Sequence, residues 1–311
     1  MAALGTLELN NIHQGDCVEL LKRIPDNSVD LIFADPPYNL QLNGDLFRPD
    51  TSKVDAVDDE WDKFDSFAEY DRFTNQWLAE CHRVLKPTGS IWVIGSYHNI
   101  FRVGTALQNI GFWILNDIIW VKTNPMPNFK GTRFNNAHET LIWATKSQSS
   151  KFTFHYHSMK VMNDDLQMRS DWVIPICQGN ERIKVNGMKA HSTQKPEELL
   201  YRVLISSSNP GDIVLDPFSG SGTTAAVAKL LGRNYIAFER DEFYISVARE
   251  RLEKITTVQK EMTGYPIENR IPKVPFNSLI VKDYVRVGER LYSKDGTISA
   301  VVNADGTLVS N

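Results

Sequence analysis
The chain has 311 residues, 42% of them hydrophobic and 23% charged, with a net charge of −4, which suits one large domain or a large one with a small companion. No run of about 18 apolar residues occurs, which excludes a membrane-spanning helix, and no basic start followed by an apolar stretch marks a signal peptide. The cysteines Cys17, Cys81 and Cys177 are odd in number and far apart, which argues against a disulfide framework or zinc site and for a reduced, cytoplasmic chain.

In chain order, strand-like and helix-like segments alternate, the pattern of βαβ units on a parallel sheet. "LNNIHQ" (9–14) predicts a strand and 16–24 a helix. "VDLIFA" (29–34) is an apolar run expected of a strand buried on both faces. It ends on Asp35, followed by Pro36 and Pro37, which cannot continue a ladder, and by Tyr38. Residues 39–64 read as irregular. A helix is predicted from an N-cap at Ser66 to about Lys86, with Phe67, Tyr70, Phe73, Trp77, Cys81 and Val84 at helical spacing as core positions. Residues 89–96 predict a strand, 98–110 a helix, and 112–122 and 139–146 two further strands. Signals in 123–138 and 147–194 are mixed, with His155 and His157 alternating on an expected strand. Pro196 opens a helix to about Ser208. The strand 212–216, helix 221–231, strand 234–239 and helix 241–256 complete the alternation. After a linker with Pro266, Pro272 and Pro275, two Asp-Gly turns between β-formers predict a small β module from about 270.

Charge is uneven. Trp120 to Arg202 holds 12 Lys and Arg against 7 Asp and Glu, which suits an anion-facing surface. Asp45 to Asp71 holds 3 against 10, the texture of a solvated loop.

"VLDPFSGSGTT" is a strand, a small-residue turn and a helix start, so its backbone amides can cradle the polar part of a ligand. It is neither the dinucleotide fingerprint nor a P-loop. Asp216 at the strand tip would repel a pyrophosphate, and Glu239 at the next strand end can accept both hydroxyls of a ribose. A nucleoside ending in a cationic amino acid fits both, which is S-adenosylmethionine.

"DPPY" followed far downstream by "DPFSGSG" resembles the β-class amino-methyltransferases of DNA. "QGDC" (14–17) is similar to that family's element over the cofactor's adenine, and "HSTQKPEELLYRVL" (191–204) to the segment before its cofactor strand. "DDEWDKF" and "TNPMPNFKGTRFNNAHETLIWATK" further resemble the cell-cycle-regulated bacterial adenine-N6 methyltransferases of GANTC, with a tail covering only the start of that subgroup's C-terminal module.

The resemblance implies a methyltransferase-type Rossmann sheet, mostly parallel with one reversed edge strand. Residues 1–260 would be catalytic, with target recognition at about 123–190, and 270–311 an incomplete β module serving DNA binding or dimerisation. It implies methyl transfer from S-adenosylmethionine to adenine N6 of a flipped base in double-stranded DNA, by a cytoplasmic, nucleoid-associated homodimer linked to replication and the cell cycle, with no metal. Asp35, Pro36 and Tyr38 would be catalytic. Asp16, Cys17, Asp35, Thr193, Lys195, Asp216, Phe218, Gly220, Gly222, Thr223 and Glu239 would hold the cofactor. Leu40, Leu42, Leu46 and Phe47 are wedge candidates, and Asn124, Asn128, Lys130, Arg133 and Asn136 candidates for base edges or phosphates. Cytosine-N4 methylation stands as the alternative, and a non-catalytic DNA-binding protein on the same fold as another.

Overall fold
The computed structural model describes residues 2–40, 62–128, 131–191, 193–256, 285–293, 296–303 and 307–310. Two compact units are present, Met1–Tyr265 and Pro266–Asn311.

The first unit opens with a short hairpin, Ala3–Leu4 (β1) and Leu7–Glu8 (β2), then Asn11–Gln14 (β3) and the short helix Cys17–Leu21 (α1). Val29–Ala34 (β4), Phe67–Val84 (α2), Leu85–Gly95 (β5), Ile100–Ile110 (α3), Trp113–Lys122 (β6) and His138–Thr145 (β7) follow. Next come Tyr156–Val161 (α4), Asp171–Ile174 (β8) and a hairpin of Lys184–Val185 (β9) and Met188–Lys189 (β10). Glu197–Ser207 (α5), Ile213–Asp216 (β11), Thr223–Leu230 (α6), Asn234–Glu239 (β12) and Glu242–Glu253 (α7) complete it.

Eight strands form one sheet in the order β3-β12-β11-β4-β5-β7-β6-β8. Its pairs are parallel except the two that β7 makes, with β5 and β6. The single reversed strand therefore lies inside the sheet, third from the β8 end, and not at the edge as the resemblance implied. The reason is connectivity: β6 and β7 are joined as an antiparallel hairpin, and β8 then adds beyond β6 in parallel.

Alternate residues of β4 feed opposite faces. Leu31 and Phe33 join a core with α5, α6 and α7, whereas Ile32 and Ala34 join one with α1, α2 and α3, as does Val29 beyond a register shift at the strand's start. An apolar run, not a polar–apolar alternation, is what a strand covered on both sides requires. In α2 the Ser66 hydroxyl accepts the Glu69 N–H at 3.2 Å, as the cap predicted. Tyr70, Trp77, Cys81 and Val84 are buried, but Phe67, in the first turn, is 45% exposed beneath the Arg102 guanidinium.

His155 and Tyr156 start a short helix, not a strand. His155 sits at the N-cap of α4 with Nε2 3.2 Å from the Ser208 carbonyl, so it does not pair with His157 across a strand face. Docking on the end of α5 overrides the β-like alternation there. Among the described residues no helix is long and apolar enough to cross a membrane.

The second unit holds Arg290–Tyr292 (β13), Ser299–Val302 (β14) and Leu308–Ser310 (β15) in a three-stranded antiparallel sheet. The strands on either side of each predicted Asp-Gly turn pair with one another.

Candidate active site
β4 and β11 are parallel neighbours, with Leu215 opposite Ile32, so Asp35 and Asp216 leave the same edge of the sheet side by side. The chain enters β4 from one side and returns to β11 from the other, which makes this the switch in strand order where α/β sheets open a crevice. A cavity of about 930 Å³ lies there, and Asp16, Asp35, Tyr38, Lys195, Asp216 and Glu239 all line it.

The turn after β4 makes no ladder and is held by side chains. Tyr70 donates its phenol to the Pro37 carbonyl at 2.9 Å, and Asn99 Nδ2 lies 3.2 Å from the Tyr70 oxygen. Asp62 Oδ1 accepts the backbone N–H groups of Tyr38 and of Asn39, the latter at 2.9 Å, and Oδ2 accepts that of Leu40 at 2.9 Å. Asn39 is in the left-handed region at φ 54°, a geometry asparagine tolerates. Asp62 belongs to the acidic run expected as solvated loop, yet it is 5% exposed. The sequence signal for it was indirect: consecutive N–H groups past two prolines need an acceptor.

Asp35 Oδ2 lies 2.8 Å from Lys195 Nζ, while Oδ1 is buried and accepts no hydrogen bond. Glu139, on β7, was missed by the sequence reading. Its Oε1 lies 2.7 Å from Lys122 Nζ, and its Oε2 accepts the Tyr38 phenol at 2.8 Å and stands 3.9 Å from Lys195. The Lys195 ammonium is 5.2 Å from the centre of the Tyr38 ring. Burial pushes the Asp35 carboxyl up, Glu139 adds to this, and Lys195 opposes it, leaving the group above its ordinary value. Burial also opposes ionisation of Glu139, but Lys195 and Lys122 outweigh it and hold that carboxyl below the usual range. Burial, then Asp35 and Glu139, push the Tyr38 phenol far up, so it remains a donor.

On the β11 side, Asp216 Oδ1 accepts the Phe218 N–H at 2.9 Å, and burial pushes its carboxyl up to about 7. Glu239 Oε2 accepts from Gly220 N at 2.8 Å, and Oε1 from Arg240 N and Asp241 N at 2.8 and 3.0 Å. This carboxylate thus ties the small-residue turn to the end of β12. Gly222 has φ 75° and its Cβ would stand 2.8 Å from Ala248 Cβ, so only glycine fits beneath the start of α6. Gly222 shapes the turn from below without lining the cavity. Thr223 Oγ1 donates to the Lys195 carbonyl at 3.3 Å and accepts from Arg251 at 3.1 Å, which fastens α6 to the segment before α5. Phe218 meets Trp77 edge-on at 5.2 Å. Asp16 is the N-cap of α1, accepting from Val18 N and Glu19 N, and burial pushes the Cys17 thiol up to about 12. Thr193 donates its backbone N–H to His191 Nδ1 at 3.2 Å. Ser219 Oγ is buried in the cavity wall with no partner.

The recognition candidates are dispersed. Asn124 has its amide committed within the chain, accepting from Ile176 N and donating to Gln178 Oε1, both at 2.8 Å. Asn128 Oδ1 accepts from Thr132 N at 3.3 Å. Arg133 is exposed, 5.9 Å from the Tyr97 ring centre, beside the fully exposed Phe134. Leu40 lines the cavity, whereas Leu42, Leu46, Phe47 and Lys130 lie outside the described residues. Among the described residues no cluster of His, Cys, Asp or Glu could hold a metal ion.

Comparison with known proteins gives this geometry a family. The profile of a family described as DNA methylase, covering N6 and N4 enzymes, matches residues 29–250. The chain is 55% identical over 304 residues to the type II methyltransferase M.HinfI of Haemophilus influenzae, covering 97% of this chain and 85% of that one. It is 41% identical to the type II methyltransferase M2.MboI of Moraxella bovis, over 85% of this chain and 95% of the other. A crystal structure of M1.HpyAVI with S-adenosylmethionine superposes with TM-score 0.58 at 28% identity, covering 78% of this chain and 98% of that one. The cytosine-N4-specific PvuII methyltransferase, 23% identical, shares the fold with TM-score 0.61 over 77% of this chain and 85% of its own.

Proposed function
The chain belongs to the N6/N4 DNA methylase family and uses S-adenosylmethionine, and from that premise we propose that it methylates adenine N6 of a flipped-out base in duplex DNA, within GANTC. The observation that carries this reading is Asp35 Oδ1, a buried acceptor without a partner, in the same cavity as the Asp216 turn.

S-adenosylmethionine fits the β11 half of the cavity, and when bound it supplies an electrophilic methyl group on a sulfonium. Asp216 offers a carboxylate to the amino-acid end, Ser219 a hydroxyl not otherwise used, and Glu239 keeps lone pairs for ribose hydroxyls beyond its backbone bonds. On the other side an exocyclic amine is a poor nucleophile because its lone pair is delocalised into the ring. Asp35 Oδ1 and the Pro36 carbonyl accept its two hydrogens and draw the nitrogen toward tetrahedral geometry. The Asp35 charge then stabilises the positive nitrogen as the nitrogen–methyl bond forms and the methyl–sulfur bond breaks, and the nitrogen afterwards loses one proton to solvent, the sulfur leaving as a neutral thioether. Extracting the base costs a few kcal/mol, offset in part by stacking on Tyr38, worth about 1–3 kcal/mol. An aspartate, not a serine, before Pro-Pro-Tyr supports adenine over cytosine. A homodimer and a cell-cycle role belong to the same reading through the subgroup resemblance. The type II names of the two relatives support a site-specific modification enzyme in either setting.

The test is incubation with radiolabelled S-adenosylmethionine and random-sequence duplexes, then nucleoside analysis and site mapping. N6-methyldeoxyadenosine in GANTC is the expected product. N4-methyldeoxycytidine overturns the base assignment, and absence of transfer to DNA overturns the function.

Cofactor binding should also depend on pH. Asp216 titrates near 7 in the free protein, and only its ionised form attracts a cation. Affinity measured by calorimetry should fall below pH 7, by up to about tenfold per unit, and fall again above about 8 as the ligand's amino group loses its proton. Constant affinity from pH 6 to 7.5 would remove Asp216 from this role.

A further inference from the structure
The transfer just described requires an ionised Asp35 in a place that opposes ionisation. Four charged side chains of alternating sign meet there from four parts of the chain: Asp35 after β4, Lys195 before α5, Glu139 on β7 and Lys122 on β6. Lys195 Nζ is 2.8 Å from Asp35 Oδ2 and 3.9 Å from Glu139 Oε2, and Glu139 is held by Lys122 at 2.7 Å and by the Tyr38 phenol at 2.8 Å. The Lys195 side chain is 9% exposed and that of Glu139 11%. The sequence resemblance put Lys195 with the cofactor; within the cavity its ammonium faces these two carboxylates.

We propose that Lys195 and Glu139 are positioning residues for methyl transfer: Lys195 occupies Oδ2 so that Oδ1 alone meets the amine, and Glu139 fixes Lys195 and the Tyr38 ring relative to one another. This rests on the amino-methyltransferase reading and assigns which groups set the state of its central carboxylate. The remaining titratable or charged groups facing the pair are Arg182 and His191, from the stretch before α5, and Asp216 on β11. Without the ammonium, burial and the Glu139 charge favour the Asp35 proton and only the smaller influence of the Tyr38 phenol opposes them. Without the Glu139 charge, one of those influences is gone. Loss of Lys195 must therefore move the acid limb of the rate to higher pH while loss of the Glu139 charge must not, a difference that a purely structural role does not produce.

Single-turnover rates with cofactor and DNA saturating, from pH 6 to 9.5, separate the cases. Lys195→Met should be at least about 100-fold slower than wild type at pH 6.5, gain about tenfold per pH unit, and come within about tenfold of it by pH 9.5. That recovery also shows the variant is folded. Its cofactor affinity by calorimetry should stay within about threefold. Lys195→Arg should keep the wild-type acid limb. Glu139→Gln should leave the limb in place or shift it to lower pH, while lowering the rate by a similar factor throughout and raising KM for DNA. Loss by the same factor at every pH for Lys195→Met, or a loss confined to cofactor affinity, overturns the proposal. A cytosine product from the wild type overturns only the base assignment, and the same comparison still decides. Absence of transfer by the wild type overturns both.

Discussion

Asp35→Ala is expected to abolish methyl transfer while leaving both ligands bound. The carboxylate contributes little to holding DNA, because affinity for a duplex comes mainly from phosphate contacts, so duplex binding should stay within about tenfold. Its interaction with the target nitrogen strengthens as that nitrogen gains positive charge, so its loss falls on the transition state, and a rate decrease of about 1,000-fold or more follows. Asn at this position should be nearly as damaging. Its amide oxygen still accepts, but the charge opposite the forming ammonium is gone and Lys195 loses its ion-pair partner. Removing the carboxylate leaves a buried ammonium with Glu139, at 3.9 Å, as its remaining ion-pair partner among the described residues, so some destabilisation accompanies the change. A single-turnover assay with both ligands saturating, beside a urea melt, separates the two effects. A rate within tenfold of wild type for Asp35→Ala refutes the mechanism.

The second large effect is expected at Asp62. It reads as one acid among many, yet its two oxygens collect three successive backbone N–H groups from the turn that carries Tyr38. Asp62→Ala strands those donors, at about 1–3 kcal/mol for each one that stays buried, less whatever the turn recovers by relaxing. The turn moves, and with it the Pro36 carbonyl and the Tyr38 ring. Misplacement of about 1 Å in such a group can cost about 100-fold in rate. The expected result is therefore methyl transfer about 100-fold slower, a lower urea midpoint, and cofactor affinity little altered, since Asp216 and Glu239 sit on other elements. Asp62→Asn, which keeps an acceptor, should restore much of the stability. A normal single-turnover rate for Asp62→Ala would show that the turn is held by Tyr70 and Asn99 alone.

What the sequence made legible was whatever is written locally. The apolar run ending at Asp35, the small-residue turn after Asp216 and the cap at Ser66 each carry their cause within a few residues, and each stands where it was expected. The groups that escaped are those whose partners are far away in the chain. Glu139 lies 101 residues from the tyrosine it receives a bond from, within a strand whose texture speaks only of burial. Lys122 ends an ordinary strand and becomes informative only when β7 lies beside it. Lys195 was found through its motif, but a motif names a segment and not the direction of a side chain, so its pairing with Asp35 and Glu139 was not foreseen. Phe67 shows the converse: helical spacing places it in the stripe, yet the first turn of α2 leaves it half in solvent. Asn124 shows that a donor-rich side chain in a recognition segment can be consumed by its own loop.

The reversed strand has a bearing on how such a protein changes over time. Because β6 runs with its parallel neighbours and β7 against them, the link between Lys122 and His138 emerges at the edge where Asp35 stands. A parallel crossover would have had to travel back beneath the sheet and return before reaching that edge again. The antiparallel hairpin instead hands the chain a link rooted at both ends in rigid ladder. Its roots carry Lys122 and Glu139, members of the charge cluster, and Met126 in the span lines the cavity. Residues in that span can be added, deleted or exchanged with no shift of register in β6 or β7, so where the span reads the target, as the family resemblance implies, an inherited change of target sequence need not disturb the chemistry. Selection can then act on the two separately.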